Sequence, residues 1–235
     1  MLSLLFFGFF IGMRHALEAD HLAAVAAIST KEHTLKASMK HGAIWGIGHT
    51  ITLFLFGSFV LLLNMTISTE LADFLEFIVG VMLIGLGLDV LRRLIKERIH
   101  FHVHQHDDAT IHFHAHSHQG EGDHDKSTHQ HSHASFPFRT LFIGFMHGLA
   151  GSAALILLTL DTSNSLPFSL LYILLFGLGS VVGMMIISTI ITVPLRASKQ
   201  LTWLHNSLQA GVGIFTLVLG SSILYYSDTL KVIFS

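Results

Sequence analysis

Apolar residues run along the chain in six stretches that are long enough to cross a membrane as helices. The stretches cover residues 2–29, 42–63, 71–92, 138–160, 166–195 and 205–227. About 20 apolar residues in a helix span the roughly 30 Å of hydrocarbon in a bilayer, and a helix satisfies its own backbone polar groups there. The pattern therefore predicts an all-α integral membrane protein with six transmembrane helices.

Composition supports this fold class and narrows the chemistry. Apolar residues make up 51% of the chain and charged residues 12%, whereas a soluble domain carries about 25% charged residues. The first stretch has no basic leader and carries charges at its centre, so we expect it to be retained rather than cleaved. Cysteine is absent, which excludes disulfides and thiolate metal sites. We expect the lipid bilayer as a partner and no nucleic acid.

Basic residues gather on one side of the predicted bundle. The segments after spans one, three and five lie on the same side and hold eleven of the thirteen Lys and Arg residues. Arg14 lies within span one, and Lys231 lies on the opposite side. The positive-inside rule makes the basic side cytoplasmic, so we expect a plasma-membrane protein with both termini extracytoplasmic.

The second half of the chain resembles the first at a nearly constant offset. Residues 11–17 align with residues 143–149 at an offset of 132, and residues 46–48 and 80–81 align with residues 177–179 and 211–212 at 131. Three spans in each half would place the halves in opposite orientations, as in secondary transporters with a substrate site near the midplane. We therefore expect two inverted three-helix repeats, 1–94 and 138–235, joined by a loop over 95–137.

Ionisable residues interrupt the first apolar stretch near its centre. They are Arg14, His15, Glu18, Asp20 and His21, and such residues within a membrane are costly unless they serve a function. Imidazole nitrogens and carboxylate oxygens are donors that suit a divalent transition metal. The sequence therefore predicts a metal site within the membrane, although a structural polar network between helices remains an alternative.

A regular helix cannot direct all of these groups to one point. Glu18 lies one turn from both His15 and His21, but Asp20 lies about 140° around the helix from His15. Either the helix is broken near residue 19, as at many transporter sites, or some of the groups only orient the ligands. Arg14 could also pair with Glu18 four residues later and neutralise it.

Histidines in two other spans share the depth of the first cluster. His21, His49 and His147 each lie eight or nine residues from the cytoplasmic end of a span, which is about 12 to 14 Å along a helix. Shared depth allows convergence on one ion, so His49 and His147 are further candidate ligands, with Thr50 and Ser152 as neighbouring polar groups. For His41 and His205, which lie near span ends, an interfacial or solvated role is the default expectation.

The central segment contains twelve of the nineteen histidines. A tract with so few apolar residues is expected to be a disordered loop, and its imidazoles can capture divalent cations at many weak sites. A linker that binds metal only incidentally is the alternative. The candidate residues for auxiliary metal capture are His100, His102, His104, His106, His112, His114, His116, His118, His129, His131 and His133.

These motifs resemble those of the nickel/cobalt transporter (NiCoT/NicO) superfamily. His15, Asp20 and His21 match its H-x-x-x-x-D-H signature, preceded by the usual Arg14, and residues 48–50 resemble its second histidine motif. The chain is most similar to the shorter, six-span branch associated with nickel supply to urease, in which residues 147–153 resemble a short motif. The resemblance implies a permease for Ni²⁺ or Co²⁺, with His15, Asp20 and His21 in metal recognition and His49 close by.

The sequence thus predicts a secondary transporter that moves Ni²⁺ or Co²⁺ by alternating access, most simply for uptake, with the metal as substrate and no cofactor. Efflux is the first alternative, since efflux relatives share related motifs. The spacing of His15 and Asp20 also matches the H-x-x-x-x-D pattern of glycerolipid acyltransferases, in which His is a general base. A membrane metal sensor is a third class. A cytoplasmic metallochaperone is a further candidate partner.

Overall fold

The computed structural model describes residues 2–229, apart from residues 33, 64, 66, 97–99, 106–110, 117–137 and 150–164. The helices are α1 (Leu2–His15), α2 (Ala19–Ser29), α3 (Leu35–Leu62), α4 (Thr69–Lys96), α5 (138–149), α6 (Leu166–Ala197) and α7 (Thr202–Tyr226). A single 3₁₀ turn, Ser198–Gln200, joins α6 to α7. Within this part of the chain, four helices have the length and composition to cross a membrane: α3, α4, α6 and α7.

The first predicted span is two helices rather than one. Helix α1 ends at His15 and α2 begins at Ala19, so the apolar stretch over 2–29 is interrupted at its ionisable residues. Of the fourth predicted span, 138–160, the structure describes residues 138–149, and these are helical. The helix positions otherwise agree with the apolar stretches to within a few residues, apart from an N-terminal extension of α3.

Helix α2 lies inside the bundle, where it packs against α3, α4, α6 and α7. Its buried face includes Ala23, Ala24 and Ala27, and these small side chains allow neighbouring helices to approach closely. Large apolar side chains elsewhere point outward, as in Phe6 and Leu55, which are exposed by more than half of their surface. An apolar exterior is what a lipid-facing bundle requires.

Two glycines bring α1 against α6. A methyl group on Gly12 would collide with the carbonyl oxygen of Phe176, and one on Gly179 would collide with the carbonyl oxygen of Phe9. Each helix thus contributes one glycine that admits the backbone of the other, which is the close approach that small residues permit in membranes.

The pair α3 and α5 repeats this arrangement. A methyl group on Gly48 would collide with the carbonyl oxygen of Leu141, and one on Gly144 would collide with the carbonyl oxygen of Trp45. Buried hydroxyls join α3 to α6 in a similarly reciprocal way. Ser38 Oγ donates to the carbonyl of Ser188 and Ser188 Oγ donates to the carbonyl of Ser38, both at 2.8 Å.

The central histidine-rich segment contains two strands, β1 (His100–Gln105) and β2 (Ile111–His116), which pair antiparallel. The sequence predicted a disordered loop here, and the structure differs over these twelve residues. The reason is the alternation itself: apolar Phe101, Val103, Ile111 and Phe113 stand between successive histidines, which is the period-two pattern of a strand. The pairing register sets histidine opposite histidine three times: His100 with His116, His102 with His114, and His104 with His112.

Candidate metal centre

The break between α1 and α2 brings the ionisable residues of the first stretch together. Tight turns replace the α-helical pattern after His15: the amide of Leu17 donates to the carbonyl of Arg14 at 2.8 Å, and that of Glu18 to the carbonyl of His15 at 3.0 Å. Glu18 has an extended backbone, with ψ 148°. The chain therefore changes direction between His15 and His21, as in the first of the two alternatives, and the angular conflict of a continuous helix does not arise.

Four imidazole rings from three parts of the chain meet at this break. The ring of His21 lies 4.3 Å from that of His15, 5.1 Å from that of His49 and 4.2 Å from that of His147, measured between centroids. His15 and His49 are 5.4 Å apart. All four residues are buried, with His49 and His147 at 0% exposure. The structure thus places His49 and His147, the two histidines that share the depth of the first cluster, next to His21.

Asp20 joins two of the rings. Its Oδ1 accepts a hydrogen bond from His21 Nδ1 at 3.0 Å, and its Oδ2 accepts one from His147 Nε2 at 2.8 Å. A carboxylate that accepts from one ring nitrogen fixes the tautomer and leaves the other nitrogen with a free lone pair. His21 Nε2 and His147 Nδ1 are therefore the nitrogens available to a metal.

Glu18 accepts a hydrogen bond from a third ring in the same way. His15 Nδ1 donates to Glu18 Oε1 at 2.9 Å, which leaves His15 Nε2 with its lone pair. The alternative that Glu18 pairs with Arg14 is wrong, because the break after His15 removes the helical spacing on which that pairing depends and turns Glu18 toward the imidazole. Arg14 itself is exposed.

The cluster presents polar atoms that have no partner within the described part of the chain. Buried nitrogens without a hydrogen bond include His15 Nε2, His21 Nε2, His147 Nδ1 and both ring nitrogens of His49. Burying polar atoms without partners is unfavourable. Ligand atoms of His15, His21 and His49 lie within 4.8 Å of one another, as do those of Asp20, His21 and His147. Neutral imidazoles grouped in this way can bind a borderline divalent cation.

Trp45 borders the cluster and was not predicted to do so. Its ring centroid lies 5.5 Å from that of His21 and 5.4 Å from that of His147, and the residue is fully buried. The spacing of Trp45 and His49, one turn apart on α3, is the only signal that could have indicated it. The indole forms one wall of the cluster.

Thr50, whose side chain the structure describes, does not join the cluster. Thr50 donates from Oγ1 to the carbonyl of Gly177 at 3.0 Å, so it contributes to helix packing between α3 and α6. Ser152 lies outside the described residues. Of the central histidines, six lie on β1 and β2, whereas His106, His118, His129, His131 and His133 also lie outside the described part of the chain.

Comparisons with known proteins agree with the chemistry of the cluster. The chain is 38% identical over 226 residues to the "Urease accessory protein UreH" of Bacillus sp. (strain TB-90), and the match covers 96% of this chain and 92% of that protein. No solved structure matches the chain significantly.

A protein-family comparison covers nearly the whole chain. Residues 1–223 match the NicO family, which is described as "High-affinity nickel-transport protein". This match decides against the acyltransferase alternative that the spacing of His15 and Asp20 had left open. The chain therefore belongs to the NicO family of high-affinity nickel-transport proteins, which are multi-pass membrane transporters rather than enzymes and for which nickel is the substrate and not a cofactor.

Proposed function

We propose that Ni²⁺ crosses the membrane through the buried imidazole cluster, where nitrogens of His15, His21 and His49 bind it. The observation that carries this proposal is the set of buried ring nitrogens without hydrogen bonds. Each of His15 and His21 has its other nitrogen held by a carboxylate, which is the usual arrangement behind a metal-binding histidine. Glu18 and Asp20 thus orient the ligands and supply negative charge.

His147 and Asp20 form a second set with His21, which overlaps the first. His21 belongs to both sets, so an ion can pass from one to the other while it keeps at least one ligand. His147 lies on α5 in the second half of the chain, and His15 lies in the first half. An ion between them contacts both halves, as alternating access requires.

The glycine contacts support two repeats related by an offset of 131 to 132 residues. Gly12 meets the backbone of Phe176, and Gly144 meets that of Trp45. At this offset Gly144 corresponds to Gly12, and Phe176 corresponds to Trp45. The aromatic rings show the same correspondence: the ring centroid of His15 lies 5.2 Å from that of Phe176, and the ring centroid of His147 lies 5.4 Å from that of Trp45. We assign residues 1–94 and 138–235 to inverted three-helix repeats that move relative to each other.

The central segment, 95–137, serves metal capture on the cytoplasmic side in this proposal. The distribution of basic residues supports that orientation, with both termini extracytoplasmic. The backbone register of β1 and β2 pairs histidine with histidine at three positions, and imidazole nitrogens are suitable donors for borderline cations. A cytoplasmic metallochaperone is the proposed partner, which would deliver metal to this segment or receive metal from it.

Uptake is the direction we assign, with Co²⁺ as an alternative cargo. The adjacent Asp20 and His21 favour this assignment through the family resemblance, because similar efflux members carry a Gly-His pair at these positions. Nitrogen and oxygen donors bind Ni²⁺ somewhat more strongly than Co²⁺, so selection between them depends on geometry.

Total cellular nickel and cobalt, measured in a host without its own transporters, tests this proposal. Cells with the chain should accumulate nickel above the empty host, His21→Ala should abolish the rise, and His205→Ala, a histidine outside the cluster, should leave it intact. A fall in cellular nickel that His21→Ala abolishes would reverse the direction. Unchanged nickel and cobalt would contradict transport, and a rise that survives His21→Ala would contradict the proposed site.

A further inference from the structure

A second group of metal-binding side chains lies at one end of the bundle, apart from the buried cluster. His41 Nε2 lies 3.2 Å from Glu32 Oε1, and His41 Nδ1 lies 2.9 Å from Thr140 Oγ1. The three residues come from the segment after α2, from α3 and from α5. The side chains of His41 and Glu32 are 24% and 13% exposed, so the group is accessible from outside while most of its surface is covered.

This group is connected to the buried cluster through α3. His41, Trp45 and His49 follow one another at intervals of four residues, which places them along one side of the helix, with His41 about 12 Å from His49 along the axis. A narrow cleft is lined by His41 and Trp45 together with Val25, Ile28, Gly42 and Ser188. The ring of Trp45 also lies 5.5 Å from that of His21 and 5.4 Å from that of His147. The indole therefore borders both the cleft and the cluster.

The charges around the group favour a cation there. Lys31 and Arg139 are the sequence neighbours of Glu32 and Thr140, and either could have paired with the Glu32 carboxylate. Instead both bind Asp89, with distances of 3.0 Å from Lys31 Nζ and 3.2 Å from Arg139 to the carboxylate. Asp89 thus holds two positive charges away from Glu32, whose carboxylate is left to the imidazole.

We propose that His41 Nε2 and the Glu32 carboxylate form a second binding site for the transported Ni²⁺, which the ion occupies before or after the buried cluster. The inference rests on the proposed function, since it assigns the ion's path. Imidazole nitrogen suits this ion, and the carboxylate adds an oxygen donor and a negative charge. Thr140 lies at the other ring nitrogen, so its hydroxyl positions the imidazole: with the ion on Nε2, the ring proton lies on Nδ1 and donates to Thr140 Oγ1. The ion replaces the hydrogen bond between His41 and Glu32, and its path to the buried cluster passes Trp45.

Crystals of the full-length protein grown with Ni²⁺ test the inference through anomalous difference density at the nickel absorption edge. We expect one peak in the buried cluster and another between His41 Nε2 and the Glu32 carboxylate, with the second absent from Glu32→Gln. A peak in the buried cluster alone overturns the second site and leaves the proposed function standing. A peak at His41 alone contradicts the buried cluster instead, and no peak at either place overturns both.

Ni²⁺ flux decides whether an ion at His41 belongs to the path. The initial rate at low Ni²⁺ should fall about tenfold in His41→Ala and Glu32→Gln, in either direction of transport, because the ion passes the site in both. His205→Ala is the matched control: His205 also lies at a helix end and is hydrogen-bonded, to Ser198 Oγ at 3.1 Å, and its rate should stay within about twofold of wild type, well short of the loss that removal of a metal-site group causes. Wild-type flux in both His41→Ala and Glu32→Gln would show a structural ion pair and overturn the proposal.

Discussion

Asp20 accepts a hydrogen bond of 2.8 Å from Nε2 of His147, a residue 127 positions later in the chain. The same carboxylate holds His21, so one acidic side chain sets the tautomer of two imidazoles from opposite halves of the protein. Substitution of Asp20 therefore disturbs two candidate ligands at once, whereas substitution of either histidine disturbs only one.

Replacing Asp20 by asparagine should reduce the initial rate of Ni²⁺ transport about 10- to 100-fold. The amide can accept from one ring but must donate to the other, which forces a proton onto the nitrogen that would face the metal. Transport by reconstituted, equally folded protein measures the effect. A rate equal to that of wild type would show that the carboxylate does not orient the rings.

Glu18→Gln makes the same chemical change at a carboxylate that holds one ring. The side chain of Glu18 is 57% exposed, against 28% for Asp20, so the surrounding protein encloses the Glu18 carboxylate less and fixes it less firmly. We expect a loss of less than about tenfold, at the low end of what such partners contribute. If Glu18→Gln proves more damaging than Asp20→Asn in the same flux assay, the ranking derived from burial is wrong.

Gly144→Ala should destabilise the bundle, because the added methyl group meets the carbonyl oxygen of Trp45. Overpacking of this kind costs about 1–3 kcal/mol, which thermal unfolding in detergent will register as a lower midpoint. Gly85→Ala and Gly211→Ala are matched controls, since a methyl group at either position has nothing within 4 Å. Their midpoints should stay level or rise, because alanine favours the helix; a fall equal to that of Gly144→Ala would contradict the packing argument.

Asp89→Asn should loosen the contact between α2, α4 and α5. Asp89 lies 3.0 Å from Lys31, 3.2 Å from Arg139 and 3.7 Å from Arg93 Nε, so the substitution leaves several cations without their carboxylate. These side chains are partly exposed, and such pairs contribute about 0–1 kcal/mol each. The loss of stability should shrink in high salt, which screens exposed charges. A loss that is independent of salt would indicate a different cause.

The apolar stretches predicted the helices well because the bilayer imposes their length and requires their backbone to be satisfied internally. The positions of α3, α4, α6 and α7 follow from this requirement. Helical periodicity also showed that His15 and Asp20 could not point the same way from one helix. It could not say whether the chain would break or the residues divide their roles; the structure shows the break between His15 and Ala19.

Residues that depend on a distant partner were not predictable in the same way. The shared depth of His49 and His147 placed them near His21, but the contacts of Trp45 with those rings, and of His41 with Glu32 and Thr140, depend on which helices pack together. The strands of the central segment were not predicted because its low apolar content indicated disorder, although the alternation of its residues has the period of a strand.

The most direct test of the buried cluster is Ni²⁺ flux into proteoliposomes that contain either the wild-type chain or His49→Ala. Neither ring nitrogen of His49 has a hydrogen-bond partner in the described part of the chain, so the substitution removes a proposed metal ligand while it disturbs no polar contact of the ring. The account predicts that flux falls at least about tenfold while the protein keeps its yield and unfolding midpoint. A folded His49→Ala protein that transports Ni²⁺ as fast as wild type would contradict it.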